Sequence, residues 1–282
     1  MMKASSFNPQ KAFFWKAIKR FCMAFGIGVT SRRNLESLEN LALQQPSFDL
    51  RFIRALGQPH YGPSFELLNK SRAQLRQDIF ALANTKYKLG GYFVEFGATD
   101  GVKLSNTFLL ETEFSWTGIL CEPARIWEES LKKNRPNSII ETLCVWSESG
   151  IELDFNECKI PELSTIEKVR SGDEHEDRRK SGNVYSVLTI SLEDLLIKHS
   201  APTYIDFLSI DTEGSEFEIL TNFDFENYSF GVITVEHNFT AGREKIFQLL
   251  QGKGYERVLE HISMFDDWYV SKELNQFKRG LL

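Results

Sequence analysis

Glu95-Phe96-Gly97-Ala98-Thr99-Asp100-Gly101 follows directly on the apolar run Tyr92-Phe93-Val94. The stretch joins a strand that ends, a carboxylate near its end, and two glycines. Gly97 and Gly101 lack a Cβ, so the backbone can turn tightly and a ligand can come close to it. Further along, Phe207-Leu208-Ser209-Ile210 ends in the same manner, in Asp211-Thr212-Glu213-Gly214. Two carboxylate-bearing strand ends in one α/β chain predict a single crevice at the carboxyl edge of a sheet.

The pattern outward from this stretch supports such a sheet. Strands are expected at Tyr92–Phe96, Gly118–Cys121, Ile139–Val145, Tyr204–Ile210, Gly231–Glu236, Tyr255–Leu259 and Trp268–Val270. Helices are expected at Ala124–Lys133, Ser191–His199, Ser215–Asn222 and Ala241–Gly252. Alternation of this kind reads as a mainly parallel sheet with helices on both faces. Ahead of it, a helix is expected from about Ser64 to Lys86, ended by Gly90-Gly91. Residues 35–70 read as helical pieces broken by Pro46, Gly57, Pro59, Gly62 and Pro63. The organisation expected is an N-terminal extension over 1–65 and a main domain over 66–275. An insertion at 151–185 interrupts that domain. In it Ile151–Phe155 alternates like an edge strand, and the charged run Glu167–Gly182 reads as a solvated loop or as a lid over the crevice.

A composition 42% hydrophobic and 13% aromatic over 282 residues provides for a sizeable core. The net charge of −6 argues against nucleic acid as a partner. Yet residues 1–35 hold Lys3, Lys11, Lys16, Lys19, Arg20, Arg32 and Arg33 with no acid. Phe14, Ile18, Phe21, Cys22 and Phe25 follow helical spacing there. Residues 11–33 therefore read as a peripheral membrane contact, or as a helix packed on the main domain or on a partner. The segment is too interrupted by charge for a membrane span, and a signal peptide is not expected. Cys22, Cys121, Cys144 and Cys158 have no metal-finger or CxxC spacing, which fits a reducing, cytoplasmic setting.

An acid ahead of the glycines would repel a pyrophosphate but suits a cationic cofactor such as S-adenosylmethionine, which carries a sulfonium and an α-amino group. Glu122 ends the next strand, about twenty residues beyond Gly101, where a ribose-binding carboxylate is expected in Rossmann-like folds. A nicotinamide-dependent oxidoreductase is a rival reading, weakened by the missing third glycine of its fingerprint.

Taken in order, VEFGATDG, WTGILCEP (Trp116–Pro123), LSIDTEGSEFEIL (Leu208–Leu220) and ITVEHN (Ile233–Asn238) resemble the FkbM family of S-adenosylmethionine-dependent methyltransferases. Ser71–Asp78 and Asp266-Asp267-Trp268-Tyr269 resemble further elements of it, so the likeness runs from Ser71 to Val270. The resemblance implies a Rossmann-like class I methyltransferase fold with an antiparallel last strand. It implies cofactor contacts from Glu95, Gly97, Asp100 and Glu122. The segment Cys144-Val145-Trp146 would lie near adenine, and the helix face bearing Gln74, Gln77 and Asp78 would approach the cofactor.

Asp211 and the pair Glu236-His237 close two strands expected to be neighbours. They read in two ways. Asp211, Glu236 and His237 could ligate Mg²⁺, Mn²⁺ or Zn²⁺, as in metal-dependent O-methyltransferases of catechol and macrolide-sugar type. Alternatively Glu236 and His237 form a carboxylate–imidazole general base without metal. Glu213 could orient substrate or cofactor, while Glu216 reads as a helix-start acid. The activity the resemblance implies is O-methylation of a hydroxyl on a sugar, polysaccharide or related polyhydroxylated metabolite, a small-molecule or glycan acceptor, with His237, Asp211 and Glu213 as catalytic candidates. A non-catalytic binding or membrane-adaptor protein on the same scaffold is the alternative from another class.

Overall fold

The computed structural model describes residues 45–169 and 182–274. The basic segment 11–33 and most of the charged run 167–182 lie outside the described residues. The chain divides into two units, 1–51 and 52–282. Residues 45–51 of the first are helical. Among the described residues, no helix is long and apolar enough to cross a membrane.

The second unit is built on β1 (Tyr92–Phe96), the central strand expected from the sequence. It is buried along nearly all its length because both of its edges are paired and both of its faces are covered. Around it lie β2 (Thr117–Cys121), β3 (Ile139–Glu141), β8 (Tyr204–Ile210), β9 (Ser229–Glu236), β10 (Tyr255–Val258) and β11 (Asp266–Ser271). Their order is β10-β11-β9-β8-β1-β2-β3, and β11 runs antiparallel to both its neighbours. The antiparallel last strand is thus confirmed. Connections leave β1 toward β2 on one side, whereas β8 returns to its other side, so the order reverses at β1 and β8. Their carboxyl ends form the switch point where α/β sheets bind ligands.

Helices α1 (Tyr61–Leu67), α2 (Gln77–Asn84), α3 (Phe108–Phe114), α4 (Glu128–Asn134), α5 (Leu192–Lys198), α6 (Glu216–Thr221) and α7 (Gly242–Gly252) accompany the sheet. The single helix expected over Ser64–Lys86 is two. Between α1 and α2, Arg76 is left-handed at φ 66° and Ala73 makes a β-bridge to Leu104. The buried Asp78 carboxylate takes the Ser71 hydroxyl at 2.7 Å, and the Gln77 side chain accepts the Leu75 N–H at 2.9 Å. These side chains satisfy a backbone that has left the helix.

The strand expected at Ile139–Val145 also breaks. The Glu141 carboxylate accepts the N–H groups of Thr142 and Leu143 at the break. The chain then enters a second sheet as β4 (Cys144–Trp146), ordered β4-β7-β5-β6. Here β5 (Glu152–Glu157) lies between β7 (Asn183–Ser191) and β6 (Thr165–Ile166), so the expected edge strand is an inner one. Strand β7 escapes a reading by alternation because Val184 and Leu188 share its exposed face while Val187 faces the core.

Gly97 fixes how closely the two halves of the switch point meet. A Cβ there would lie 2.0 Å from the Asp211 carbonyl oxygen, and φ is +76°. A Cβ added to Gly252, at the end of α7, would meet nothing within 4 Å. Alanine at Gly97 is therefore expected to cost more than the ~1–2 kcal/mol of a left-handed L-residue alone. Alanine at Gly252 is expected to be neutral or to gain up to ~1 kcal/mol. Chemical denaturation of the two variants checks this, and equal effects would contradict it.

Candidate functional site

The Glu95 side chain leaves β1 into the protein. It accepts the Asn106 N–H at 2.7 Å, the Ser105 hydroxyl at 3.1 Å and the Thr107 hydroxyl. Burial pushes its carboxyl above the usual range, opposed first by the Arg135 guanidinium. Arg135 is itself buried and donates to the Gly101 carbonyl, to both of those hydroxyls and to Glu111. Glu95 and Arg135 thus tie down the whole segment between β1 and α3. Within it, Asp100 accepts the Val102 and Lys103 N–H groups at 2.9 and 2.7 Å. A Cβ on Gly101 would meet Arg135 and Leu131 at 2.6 Å. Asp100 and Gly101, expected as cofactor contacts, shape the loop and do not line the cleft.

That cleft, of about 350 Å³, opens at the carboxyl ends of β1, β2, β8 and β9. Of the expected residues it brings together Gln74, Glu95, Gly97, Glu122, Cys144, Val145, Asp211, Glu213 and Glu236. Glu122 accepts the Thr99 N–H at 2.9 Å and the Ala124 N–H at 2.8 Å, one on each oxygen. Burial raises its pKa to about 7 despite those two bonds. Apolar side chains lie nearby: Cys144 and Val145 from β4, and Phe155 and Ile166 from the inserted sheet. The insertion therefore forms a wall of the cleft. Thr165 fastens it by donating to the Glu213 carbonyl at 2.8 Å, and Lys103 pairs with Glu162 at 2.6 Å.

At the other end, Asp211, Glu213 and Glu236 each offer a carboxylate oxygen within 4.8 Å of the others. Asp211 and Glu236 are paired side chain to side chain, an arrangement that favours a proton held between two buried carboxyls. Burial lifts Asp211 to about 6 and Glu236 well above the carboxylate range, the latter helped by its acidic neighbours. Glu216 organises the turn beneath them, accepting the Thr212 and Gly214 N–H groups and the Thr212 hydroxyl. This is a larger part than a helix-start charge.

Three expected site residues stand elsewhere. His237 is buried outside the cleft lining, its Nδ1 accepting the Phe239 N–H at 3.0 Å. Its Nε2 lies 3.8 Å from Asp267, too far for a hydrogen bond. Asp267 is instead engaged by Arg243 and Arg257. His237 lies just beyond the end of β9, where its N–H donates to the Phe265 carbonyl and its ring lies by Asp267 and Phe239. His237 is thus neither a ligand beside Asp211 nor a base facing the cleft. Gln77 donates to Asp266 at 2.7 Å, and Asp78 is fully buried against Ser71, so both support the site from outside the lining.

One cleft residue has little signature in the sequence. Asn106 donates to Ser209 at 2.9 Å, while its Oδ1 is buried and lacks a hydrogen-bond partner among the described residues. The Glu236 Oε2 is in the same position. Buried acceptors of this kind ask for a donor. An Asn after a glycine turn is the only hint in the sequence, and surface turns carry the same pattern.

The family model for the FkbM methyltransferase domain matches residues 95–269. No curated protein matches the chain. Similar solved structures include an FkbM methyltransferase from Methylobacillus flagellatus, at 12% identity over 94% of this chain and 71% of that one, with a TM-score of 0.41. Another is the precorrin-6y C5,15-methyltransferase of Geobacter metallireducens, at 10% identity over 64% and 72%, with a TM-score of 0.36. A third is M. capricolum TrmK in complex with S-adenosyl-homocysteine, at 9% identity over 68% and 66%, with a TM-score of 0.31. A family match covering well over half of the 282 residues, on a sheet of this order, means that the chain belongs to the FkbM family of S-adenosylmethionine-dependent methyltransferases.

Proposed function

We propose that this methyltransferase modifies a hydroxyl of a sugar, polysaccharide or related polyhydroxylated metabolite. The observation that carries the reading is the hydrogen-bonded Asp211–Glu236 pair, set in the same cleft as Glu122. The family assignment sets aside the nicotinamide oxidoreductase and the non-catalytic adaptor.

The cleft suits the cofactor. Its volume falls within the usual range for small-molecule sites. Each Glu122 oxygen has one backbone donor and keeps a lone pair for a ribose hydroxyl. Asn106 Oδ1 can accept from an ammonium group, and Cys144, Val145, Phe155 and Ile166 form an apolar slot for a base. S-adenosylmethionine supplies a sulfonium-bound methyl group that passes in line to a nucleophile. The acidic surroundings favour a cation, since every buried carboxylate near it is costly until a positive charge is present.

On the acceptor side, the ionised partner of the Asp211–Glu236 pair is placed to take the hydroxyl proton. Glu213, steadied by Asn238 at 3.4 Å, orients the acceptor. A second reading rests on the unpartnered Glu236 Oε2. Three carboxylates around one point suit a hard divalent cation, Mg²⁺ or Mn²⁺, more than Zn²⁺ now that His237 is absent from the set. We further propose, from the sequence of residues 11–33, a peripheral membrane contact close to lipid-linked acceptors.

Glu122→Gln is expected to weaken S-adenosylhomocysteine binding about 10- to 100-fold by titration calorimetry, from loss of charge-assisted bonds. Asp211→Asn should leave that affinity within about threefold while lowering methylation of a glycoside and polyol panel by ~10²-fold or more. Labelled methyl found on nitrogen acceptors alone would count against the reading. Dialysis against EDTA separates the two accounts of the acids: activity lost and restored by Mg²⁺ favours the cation, and unchanged activity favours the proton-sharing pair.

The pH dependence has a definite sign. Glu122 and Asp211 have folded-state pKa values of about 7 and about 6, raised by burial. Their contribution to stability is greatest below the ordinary carboxylate range and falls as pH rises through 6 to 7, where the folded state alone still binds the protons. A cationic cofactor favours the ionised forms. Binding of S-adenosylmethionine between pH 6 and 7 should therefore release protons, read by calorimetry in buffers of different ionisation enthalpy. Proton uptake would contradict this.

A further inference from the structure

Phe239 is 73% exposed, yet it lines the cleft beside the acids. Burial cannot account for its placement. The chain reaches it through two successive left-handed residues, Asn238 at φ 43° and Phe239 at φ 57°. Asn tolerates that conformation, but a bulky aromatic residue rarely adopts it. Strain of this kind survives only where the surroundings impose it, and it gathers at ligand sites.

His237 is what imposes it. Its Nδ1 accepts the Phe239 N–H at 3.0 Å, and its ring meets the Phe239 ring edge to face at 5.3 Å between centroids. Its carbonyl accepts the Thr240 N–H at 2.8 Å. The His237 and Asn238 N–H groups both donate to the Phe265 carbonyl, at 2.9 and 3.2 Å. Burial holds the imidazole neutral, with Asp267 pulling the other way, so Nδ1 stays an acceptor. The same turn aims the Asn238 amide at Glu213. One short segment thus presents an apolar ring at the rim and a polar group at the acidic floor.

We propose that Phe239 is a stacking platform for the ring of the methyl acceptor, and that His237 is the positioning residue that holds it in place. The acceptor class this fits is a pyranoside. One C–H face lies against the Phe239 ring, and hydroxyls on its edge reach Asp211 and Glu236. An acyclic polyol offers the same hydroxyls without the face. The inference rests on the acceptor reading above and narrows it.

The test uses the full chain saturated with S-adenosylhomocysteine. Methyl glycopyranosides of the gluco, galacto, manno and rhamno series are titrated by saturation-transfer NMR, with D-glucitol as the acyclic control. The expected result is that at least one pyranoside binds tenfold or more tightly than glucitol. Phe239→Ala should weaken it at least tenfold without changing S-adenosylhomocysteine affinity. His237→Phe, which keeps bulk but removes the acceptor nitrogen, should weaken it about fivefold or more. His237→Asn, whose Oδ1 can replace Nδ1, should restore it to within twofold. The platform is overturned if no pyranoside binds the cofactor-product complex, if glucitol binds as well, or if Phe239→Ala changes nothing. The positioning role is overturned if the Asn and Phe variants of His237 behave alike. Failure of the wild-type chain to bind S-adenosylhomocysteine would instead overturn the cofactor site, and the platform with it.

Discussion

A buried carboxylate cannot remain unpaired, and Glu95 meets that constraint by recruiting a loop. Its two oxygens take one backbone N–H and two hydroxyls from Ser105, Asn106 and Thr107, while Arg135 balances the charge. Removing Arg135 would leave Glu95 buried without its balancing charge, which ranks among the costlier single changes, whereas Arg135 itself also pairs with Glu111. The loop so fixed carries Gly97, Thr99 and Asn106 to the cleft. The Thr99 N–H then holds Glu122, and Asn106 reaches across to Ser209 on β8. Three strand ends are thus set from one side chain. Besides lining the cleft, the acid before the glycines is the anchor of the loop that builds its surface.

The cleft spends folding stability on function. Glu95, Glu122, Asp211 and Glu236 are all carboxyls pushed upward by burial. Fully apolar packing there would be more stable but would have no use for a cation. The arrangement separates two tasks by position in the sheet. Ends of β1 and β2, with β4 beside them, provide hydrogen bonds and an apolar slot. Ends of β8 and β9 provide a close pair of buried carboxyls and the turn that carries Phe239. The inserted sheet adds Phe155 and Ile166 and is tied to both regions, through Lys103–Glu162 and Thr165–Glu213.

Much of this was legible in the sequence where a local pattern has one physical solution. Continuous apolar strands ending in acid and glycine could hardly be anything but buried parallel strands at a ligand edge. Glu122 and Asp211 therefore fell where expected. His237 did not, because it lies just past the end of β9 in a turn held by the Phe265 carbonyl, and no local pattern shows which way such a turn carries its ring. The division of the helix at Ser71–Arg76 depends on Asp78 and Gln77 bonding back to the chain, which no helical periodicity reveals. Strand β7 was hidden by apolar residues on both faces. Asn106 lay in an ordinary-looking Ser-Asn-Thr turn, and its meaning comes from an acceptor left open inside the protein.

The central claim is that one cleft at the switch point holds the cofactor between strand ends organised by Glu95. Hydrogen–deuterium exchange of the full chain, with and without saturating S-adenosylhomocysteine, tests it most directly. The account predicts protection concentrated in 95–107, 120–124, 143–146 and 209–215, with α7 and β10 unchanged. Protection absent from the first two segments, or centred elsewhere in the sheet, would contradict it.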